Sequence, residues 1–302
     1  MYDIAIIGAG AAGLTAALYA LRANKTVLII EKSSFGGQIT FSPQVENFPT
    51  QGKLSGAELA DKLTEQVLSH GAEVEIDTVT SIEDLGSSKR IVGESAKYEA
   101  KAVIIATGAR HRMLGLPREE EFVGEGISFC AVCDGAFYKD KNVAVVGGGN
   151  SALQEAVLLS QLCSEVTIIQ NLSELTGEKA LQEQLYKKEN VKILCSKTVA
   201  AFEGEKELLG VTIKDEVTGE TESLTVDGVF IAIGLAPQNE PFKDVIQLDS
   251  YGYADSSEDC TTKTEGIFVA GDCRKKAVRQ LTTACADGSV AALAACRYIE
   301  SL

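Results

Sequence analysis

Cys130 and Cys133 are spaced as Cys-x-x-Cys and are followed at once by Asp134. Two thiols at that spacing can share one turn of chain, close enough to make and break a disulfide. Three readings compete for them: a redox dithiol, half of a structural zinc site, or two unpaired core thiols. Zinc would need a further thiolate or histidine pair. The chain has no second Cys-x-x-Cys, and its two histidines, His70 and His111, stand apart, so no metal site is expected. Eight cysteines in 302 residues are too sparse for a disulfide scaffold, and in a reducing compartment this spacing points to redox catalysis. The other six, Cys163, Cys195, Cys260, Cys273, Cys285 and Cys296, show no paired spacing and read mostly as small buried hydrophobes.

The dithiol lies between two glycine-rich turns, each of which follows an apolar run. In the first, residues 3–7 read as a short buried parallel strand. Gly8-Ala9-Gly10-Ala11-Ala12-Gly13 then opens a helical run over 14–24, and a second strand over 26–30 ends at Glu31 and Lys32. Gly8 permits the tight turn, Gly10 lets backbone approach a pyrophosphate, and Gly13 lets helix and strand pack closely. The helix start at Ala11 and Ala12 offers N–H groups to the anion, and Glu31 is placed to accept hydrogen bonds from a ribose. A dinucleotide site is expected here. The second turn repeats the pattern: residues 142–146, then Gly147-Gly148-Gly149-Asn150-Ser151-Ala152, a helical run to 162 and a strand over 165–169.

Length and charge bound the rest. The chain has room for two domains of ordinary size, and 45% hydrophobic with 24% charged residues is a globular composition. A formal charge of −15 argues against nucleic acid as a partner, because phosphate binding needs a basic face. Residues 4–21 carry no charge and have the length of a membrane span, yet Gly8, Gly10 and Gly13 interrupt them at fingerprint spacing and no basic leader precedes them. The expectation is no signal peptide, no transmembrane helix and a cytoplasmic home.

Further motifs narrow the ligand. They are Phe35-Gly36-Gly37-Gln38, Val45-Glu46-Asn47-Phe48-Pro49, Ala106-Thr107-Gly108, Gly271-Asp272, Arg279-Gln280 and Ala286-Asp287-Gly288-Ser289. Together they resemble the flavin-binding set of the low-molecular-weight thioredoxin reductases, and the resemblance spans nearly the whole chain. It implies FAD, a thioredoxin-like protein as partner and a homodimer. Gly36, Gly37, Gln38, Asn47, Ala106, Thr107 and Gly108 would belong to the FAD site. Asp272 would bind the ribityl chain, and the helix opening near Arg279, Gln280 and Leu281 would face the isoalloxazine, favouring negative charge on reduced flavin. Cys273, next to that turn, should lie near the flavin. By the same resemblance Cys133 would meet the flavin and Cys130 the partner disulfide. Asp134 would protonate a departing thiolate if burial raises its pKa; its alternative is a turn-forming Asp before Gly135.

One part of the resemblance fails. In the NADPH-dependent reductases a His-Arg-Arg segment and a further arginine grip the adenosine 2′-phosphate, where this chain has Gln170-Asn171-Leu172 and Thr176. No acid replaces them at 170 or 171 for an NADH ribose, though Glu174 is near. NADPH is therefore doubtful as donor. The loss resembles the ferredoxin-dependent flavin thioredoxin reductases, although those also lose the glycines that persist here as Gly147 and Gly149 with Ala152. Arg274, Lys275, Lys276 and Arg279 form a cationic run that is either solvated surface or a docking patch for ferredoxin or another acidic electron carrier.

The expected fold is α/β, with two Rossmann-like three-layer nucleotide-binding domains, the second inserted into the first. Residues 1–112 and 239–302 would form the FAD domain and 113–238 the dithiol domain, with crossings marked by Leu114-Gly115-Leu116-Pro117 and Leu235-Ala236-Pro237-Gln238-Asn239. Two linkers would let the dithiol domain rotate. The activity expected is FAD-dependent thioredoxin-disulfide reduction with a donor other than NADPH. The alternatives are an NADPH- or NADH-dependent reductase and a flavin redox sensor without turnover.

Overall fold

The computed structural model describes residues 1–42, 45–49 and 52–302. The chain divides into two compact units, Met1–Arg110 with Ala236–Leu302, and His111–Leu235. These divisions lie close to the boundaries read at 112/113 and 238/239, and just inside them the Arg112 N–H donates to Gly234 O at 3.0 Å.

The first unit begins β1 (Tyr2–Ile7), α1 (Ala11–Arg22), β2 (Val27–Glu31), α2 (Gly56–Ser69), β3 (Glu73–Ile76), β4 (Val79–Asp84), β5 (Lys89–Gly93), β6 (Lys97–Ile105) and β7 (Ala109–His111). The second unit follows with α3 (Glu119–Phe122), β8 (Ile127–Ser128), α4 (Ala131–Asp134), β9 (Asn142–Val146), α5 (Asn150–Leu159), β10 (Glu165–Gln170), α6 (Lys179–Tyr186), β11 (Val191–Cys195), β12 (Lys197–Glu203), β13 (Gly210–Asp215), β14 (Thr221–Thr225), β15 (Gly228–Ile231) and β16 (Leu235–Pro237). The chain then returns to the first unit for β17 (Ile267–Val269) and α7 (Leu281–Glu300).

In the first unit the sheet order is β3-β2-β1-β6-β5-β4, with β17 also on β6. β1, β2, β3, β6 and β17 run parallel, and β4 and β5 are antiparallel additions. The central strands are apolar runs because both faces are covered. Their alternation sorts the two layers: Ile4, Ile6, Ile29, Ala102 and Ile104 face α1 and α7, while Ala5, Ile7, Leu28, Ile30, Val103 and Ile105 face Phe242, Val245 and Ile246. α1 and α7 are rich in alanine and approach so closely that a side chain on Gly288 would collide with the Ala12 carbonyl.

The second unit has a parallel five-stranded sheet, β11-β10-β9-β15-β8, and a separate antiparallel sheet β12-β13-β14. Ala144, Val146, Ile169, Val229 and Ile231 pack against the antiparallel sheet through Val199, Phe202, Val211 and Ile213. Val143, Val145, Val166, Ile168 and Phe230 pack on the helical side with Ala152, Leu153, Ala156 and Leu159 of α5 and Ala131 of α4. The dithiol segment is thus held on the helical layer, beside α5.

Element edges differ from those read in sequence. α1 starts at Ala11 rather than 14, because the fingerprint residues themselves form its first turn, and α5 stops at Leu159, capped by Ser160 rather than running to 162. β2 and β10 each extend one residue, to Glu31 and Gln170, so both fingerprint partners end inside the sheet. No helix among the described residues is long and apolar enough to cross a membrane.

Candidate active site

The first fingerprint turn is a backbone cradle braced from below. Gly8 has φ +104°, and a Cβ there would lie 2.5 Å from Ala106 O; on Gly13 it would collide with Gly8 O. Gly10 is open, since its Cβ would meet nothing nearer than Gly36 O at 4.0 Å. Glu31 is buried, and its Oε2 accepts the Ala9 N–H at 2.8 Å while Oε1 accepts the Ser33 N–H at 3.0 Å, so the acid holds the turn as well as facing it. The Gly36 N–H donates to Ala9 O at 2.8 Å, which brings Gly36 and Gly37 against Gly10. Lys32 and Gln38 are exposed at the edge. Burial, then the neighbouring Arg110, hold the Lys32 ammonium below its usual range.

The C-terminal motifs fold onto the same turn. A Cβ on Gly271 would sit 2.8 Å from the Ala12 Cβ, so Gly271-Asp272 abuts the first turn of α1. Thr107 Oγ1 lies 3.4 Å from Asn239 Oδ1, and the buried Asn239 amide donates to Cys273 O at 2.7 Å and Gly252 O at 3.0 Å. Asn47 Nδ2 donates to Gln280 Oε1 at 3.4 Å, and Gln280 caps α7 just before Leu281. Gly108, with φ +68°, ends the Ala106-Thr107-Gly108 turn. The cofactor residues read from sequence, Lys32 and Gln38 excepted, are drawn into this cluster from both ends of the chain.

The cationic run beside it is mostly internal, and this corrects its reading as solvated surface or as a docking patch. Arg274 is 8% exposed and grips Asp287 with two bonds, Nε to Oδ2 at 2.9 Å and Nη2 to Oδ1 at 3.1 Å. Lys276 Nζ donates to Asp287 Oδ2 at 3.1 Å and lies 3.3 Å from Asp272 Oδ1. Arg279 stacks on the Tyr253 ring at 4.1 Å, leaving Lys275 as the exposed member. Asp287 also accepts the Gly271 N–H at 3.0 Å, and although burial works against its charge, Arg274 and Lys276 hold its carboxyl below the usual range. Burial instead raises Asp272, against the pull of Lys276, and its buried Oδ1 has the Lys276 ion pair as its contact. Cys273 is fully buried, its thiol aimed at Ala270 O at 3.3 Å and pushed up by burial.

In the second unit Cys130 and Cys133 form a disulfide with Cα atoms 5.3 Å apart. Cys130 caps α4, its Sγ accepting the Cys133 N–H at 3.2 Å and its carbonyl the Asp134 N–H at 3.0 Å. Ser128 ties the turn together: its hydroxyl donates to Asp134 Oδ2 at 2.6 Å and accepts the Cys130 N–H at 3.1 Å. Burial raises the Asp134 carboxyl above its usual range, partly offset by Ser128, and Oδ1 is buried with no partner. Val132, between the cysteines, is 63% exposed.

The second fingerprint has the same turn but a different mouth. Gly147 has φ +130°, and a Cβ there would lie 2.6 Å from Ala232 O, as Gly8 does against Ala106. Gln170 is 4% exposed and lies across Gly148, where a Cβ would meet the carboxamide at 2.5 Å. Its Nε2 donates to Glu174 O at 3.2 Å. The Thr176 and Gly177 N–H groups donate to Gly148 O at 2.8 and 2.9 Å, and the Glu178 N–H donates to Asn150 Oδ1 at 2.7 Å. Asn171 and Leu172 are exposed, and no lysine or arginine occurs from Gln170 to Glu178. Among the described residues no group of three or more His, Cys, Asp or Glu side chains is placed to hold a metal ion.

The family described as pyridine nucleotide-disulphide oxidoreductase matches residues 2–288. The chain belongs to that family. It is 43% identical over 303 residues to a thioredoxin reductase of Bacillus subtilis, covering 100% of this chain and 96% of the relative. It is also 44% identical over 300 residues to a 34.2 kDa protein in the rubredoxin operon of Clostridium pasteurianum, covering 98% and 97%. The crystal structure of thioredoxin reductase from Streptococcus pyogenes superposes with a TM-score of 0.95 at 41% identity, covering 100% of this chain and 99% of that one. Within the pyridine nucleotide-disulphide oxidoreductases the chain is a flavin-dependent disulfide oxidoreductase of the thioredoxin reductase type. Its first unit fits the flavin dinucleotide this implies: the Gly10 flank is open to a pyrophosphate, and the buried Asp272 Oδ1, with only the Lys276 ammonium at 3.3 Å beside it, keeps acceptor capacity for a hydroxyl.

Sequence reasoning missed Asn239, the Arg274–Asp287–Lys276 network and Ser128 as residues that shape these sites. Asp287 carried a signal, since Ala286-Asp287-Gly288-Ser289 belonged to the flavin-binding set. Ser128 carried one in its place two residues before Cys130.

Proposed function

We propose that the protein is an FAD-dependent disulfide reductase that passes two electrons through Cys130–Cys133 to a thioredoxin-like protein, and that its electron donor is not NADPH. The first unit would be the FAD domain and the second the dithiol domain, whose fingerprint serves as scaffold. The observation that carries the donor reading is Gln170, buried across Gly148 at the head of a segment with no basic side chain through Glu178. A 2′-phosphate needs charge-assisted bonds from an arginine fork, which neutral Asn171, Leu172 and Thr176 do not provide. An iron-sulfur carrier such as ferredoxin is the donor class favoured; the C. pasteurianum relative is named for its place in a rubredoxin operon. With Arg274 and Lys276 turned inward, its docking does not rest on the cationic run.

Bound FAD would supply the two electrons that open the disulfide. The chain's own residues do the rest. Gly8, Gly10, Ala11, Ala12, Gly13 and Glu31 hold the dinucleotide, and Asp272, kept in place by Lys276 and the Asp287-bonded turn, orients its ribityl side. Cys130 is the thiolate that attacks the partner disulfide, its exposed neighbour Val132 leaving that side of α4 open to a protein. Cys133 then attacks Cys130 Sγ and releases the reduced partner. Asp134, raised by burial, is the acid for the departing thiolate, and Ser128 fixes its orientation.

A nicotinamide-dependent reaction is the second reading, favoured by the intact turn at Gly147. One experiment separates the two. The yellow holoprotein is mixed anaerobically with NADPH, NADH and reduced ferredoxin in turn while flavin absorbance is followed. Rapid bleaching by ferredoxin alone is expected; rapid bleaching by micromolar NADPH would overturn the donor reading.

A further inference from the structure

The chemistry of the dithiol moves two protons, and Asp134 carries one. In a turnover the Cys130 and Cys133 thiols are oxidised to a disulfide, and two substrate sulfurs leave as thiolates and are protonated. A second half-buried carboxyl stands near the first, each with one oxygen shut off from solvent. Glu155 projects from α5, which packs on α4. It accepts a hydrogen bond from the N–H of Ala131, the residue after Cys130, and its Oε2 is buried without a partner, as is Asp134 Oδ1.

We propose that Glu155 is the proton reservoir of the dithiol, acting through Asp134: when Asp134 has given its proton to a departing thiolate, Glu155 supplies the next. The inference rests on the reading of Cys130–Cys133 as the redox centre. Electrons and protons balance. Cys130 thiolate attacks the substrate disulfide, one substrate sulfur leaves and takes the Asp134 proton, and Glu155 reprotonates Asp134. Cys133 thiolate attacks Cys130 Sγ, and the second substrate sulfur leaves with the second proton. The Cys130 proton is lost to solvent when its thiolate forms, one carboxyl regains a proton from the Cys133 thiol as that ionises and the other from solvent, and the dithiol has lost two electrons to the substrate.

The surroundings suit a neutral carboxyl. Burial pushes Glu155 up to about 8, against the Ala131 N–H, and the charge of Asp134 pushes it further. α4 presents Asp134 and the two cysteines. The following turn presents Tyr138, itself raised to about 12 by burial and by Asp134, Glu125 and Asp227. On α6, Lys179 and Glu183 are exposed, and on β10 Glu165 is engaged by Lys192 at 2.7 Å. β9 brings no ionisable side chain. Among the described residues the groups acting on Glu155 are the Ala131 N–H and Asp134, neither of them a cation.

The test compares Glu155→Gln, which keeps an acceptor for the Ala131 N–H but cannot hold a proton, with wild type. Holoprotein reduced with dithiothreitol and freed of reductant is mixed with a dialkyl disulfide, whose thiolate needs a proton to leave, or an aromatic disulfide, whose thiolate leaves without one. Glu155→Gln should slow the dialkyl reaction about tenfold or more at pH 8 and much less at pH 6, with the aromatic reaction changed less than about twofold. Equal slowing of both probes, or a wild-type dialkyl profile from pH 6 to 9, would overturn the proposal. Should Glu155→Gln not fold, wild type alone decides by infrared difference spectroscopy. A protonated-carboxyl band that persists at pH 7 and fades near pH 8 is expected, and its absence at pH 7 overturns the reservoir. A wild-type dithiol inert to both disulfides would overturn instead the redox reading beneath it.

Discussion

The two glycine fingerprints share a turn and differ in what closes it. At Gly8 and Gly147 the same left-handed backbone presses against a neighbouring strand-end carbonyl, Ala106 O in one unit and Ala232 O in the other. Beyond that, the first turn is braced by an acid from beneath and left open at Gly10, whereas the second is covered by Gln170 and bonded by the Thr176 and Gly177 amides. The backbone motif specifies a strand-to-helix turn. Whether that turn holds a dinucleotide is decided by the side chain at the end of the next strand and by the loop after it. On the function proposed above, the second unit keeps the frame and does its chemistry on α4.

If that division holds, the largest loss should come from the dithiol and leave the first unit untouched. Cys133→Ser should lower steady-state disulfide reduction by about a thousandfold or more, because no second thiol remains to resolve the mixed disulfide, while the flavin still bleaches with its donor. Turnover at the wild-type rate would mean that electrons reach the substrate by another path.

The next largest effect tests how the first mouth is held. Asp287→Asn leaves Arg274 buried opposite a neutral group, a change that costs about 3–5 kcal/mol when a buried ion pair is broken. Because Asp287 also fixes the Gly271 N–H and Lys276, the variant should lose FAD during purification, which the 450 nm region absorbance would report. Retention of stoichiometric FAD with an unchanged Tm would show that the network is ornamental to the site.

What was legible in sequence was local. The fingerprint at 8–13, the acid at 31 and the Cys130–Cys133 pair each depend on spacing within one or two adjacent elements, and continuous apolar runs of strand length reveal themselves without a partner. The illegible part depended on return of the chain. Asp287 lies on α7, and only the packing of that helix turns Arg274 and Lys276 from a surface run into an internal clamp. Asn239 joins Thr107 to the Cys273 carbonyl across 132 and 34 residues of sequence, a link no pattern announces. Gln170 was recognised as a missing cation. That its carboxamide also fills the space over Gly148 required a fold.

The two units should also respond to pH with opposite signs. Glu155 has a folded pKa raised to about 8, so the stability it contributes is complete below the usual carboxylate range and is lost as pH rises through about 8. Asp287 is lowered in the folded state, so its contribution is present above its unfolded pKa and lost as pH falls through the folded value. Thermal denaturation from pH 4 to 9 should therefore show Glu155→Gln gaining on wild type toward alkaline pH, and Asp287→Asn losing least at acid pH. Parallel pH profiles for both variants would erase this distinction between the units.

The smallest changes make the sharpest comparison, because Gly10 and Gly149 occupy equivalent positions, each capping the helix after its turn. A methyl group at either meets only ordinary contacts, 4.0 Å to Gly36 O in one case and 3.9 Å to Thr176 Oγ1 in the other, so neither substitution should disturb folding. Gly10→Ala puts that methyl where a pyrophosphate must approach, and FAD affinity should fall about tenfold or more. Gly149→Ala puts it beside a turn already closed by Gln170, and turnover with the native donor should stay within about twofold of wild type. FAD binding is read by fluorescence titration of apoprotein and turnover by disulfide reduction. An equal loss of turnover in Gly149→Ala would make the second turn a working nucleotide site, and the contrast between the fingerprints would then lie only in which nucleotide each one holds.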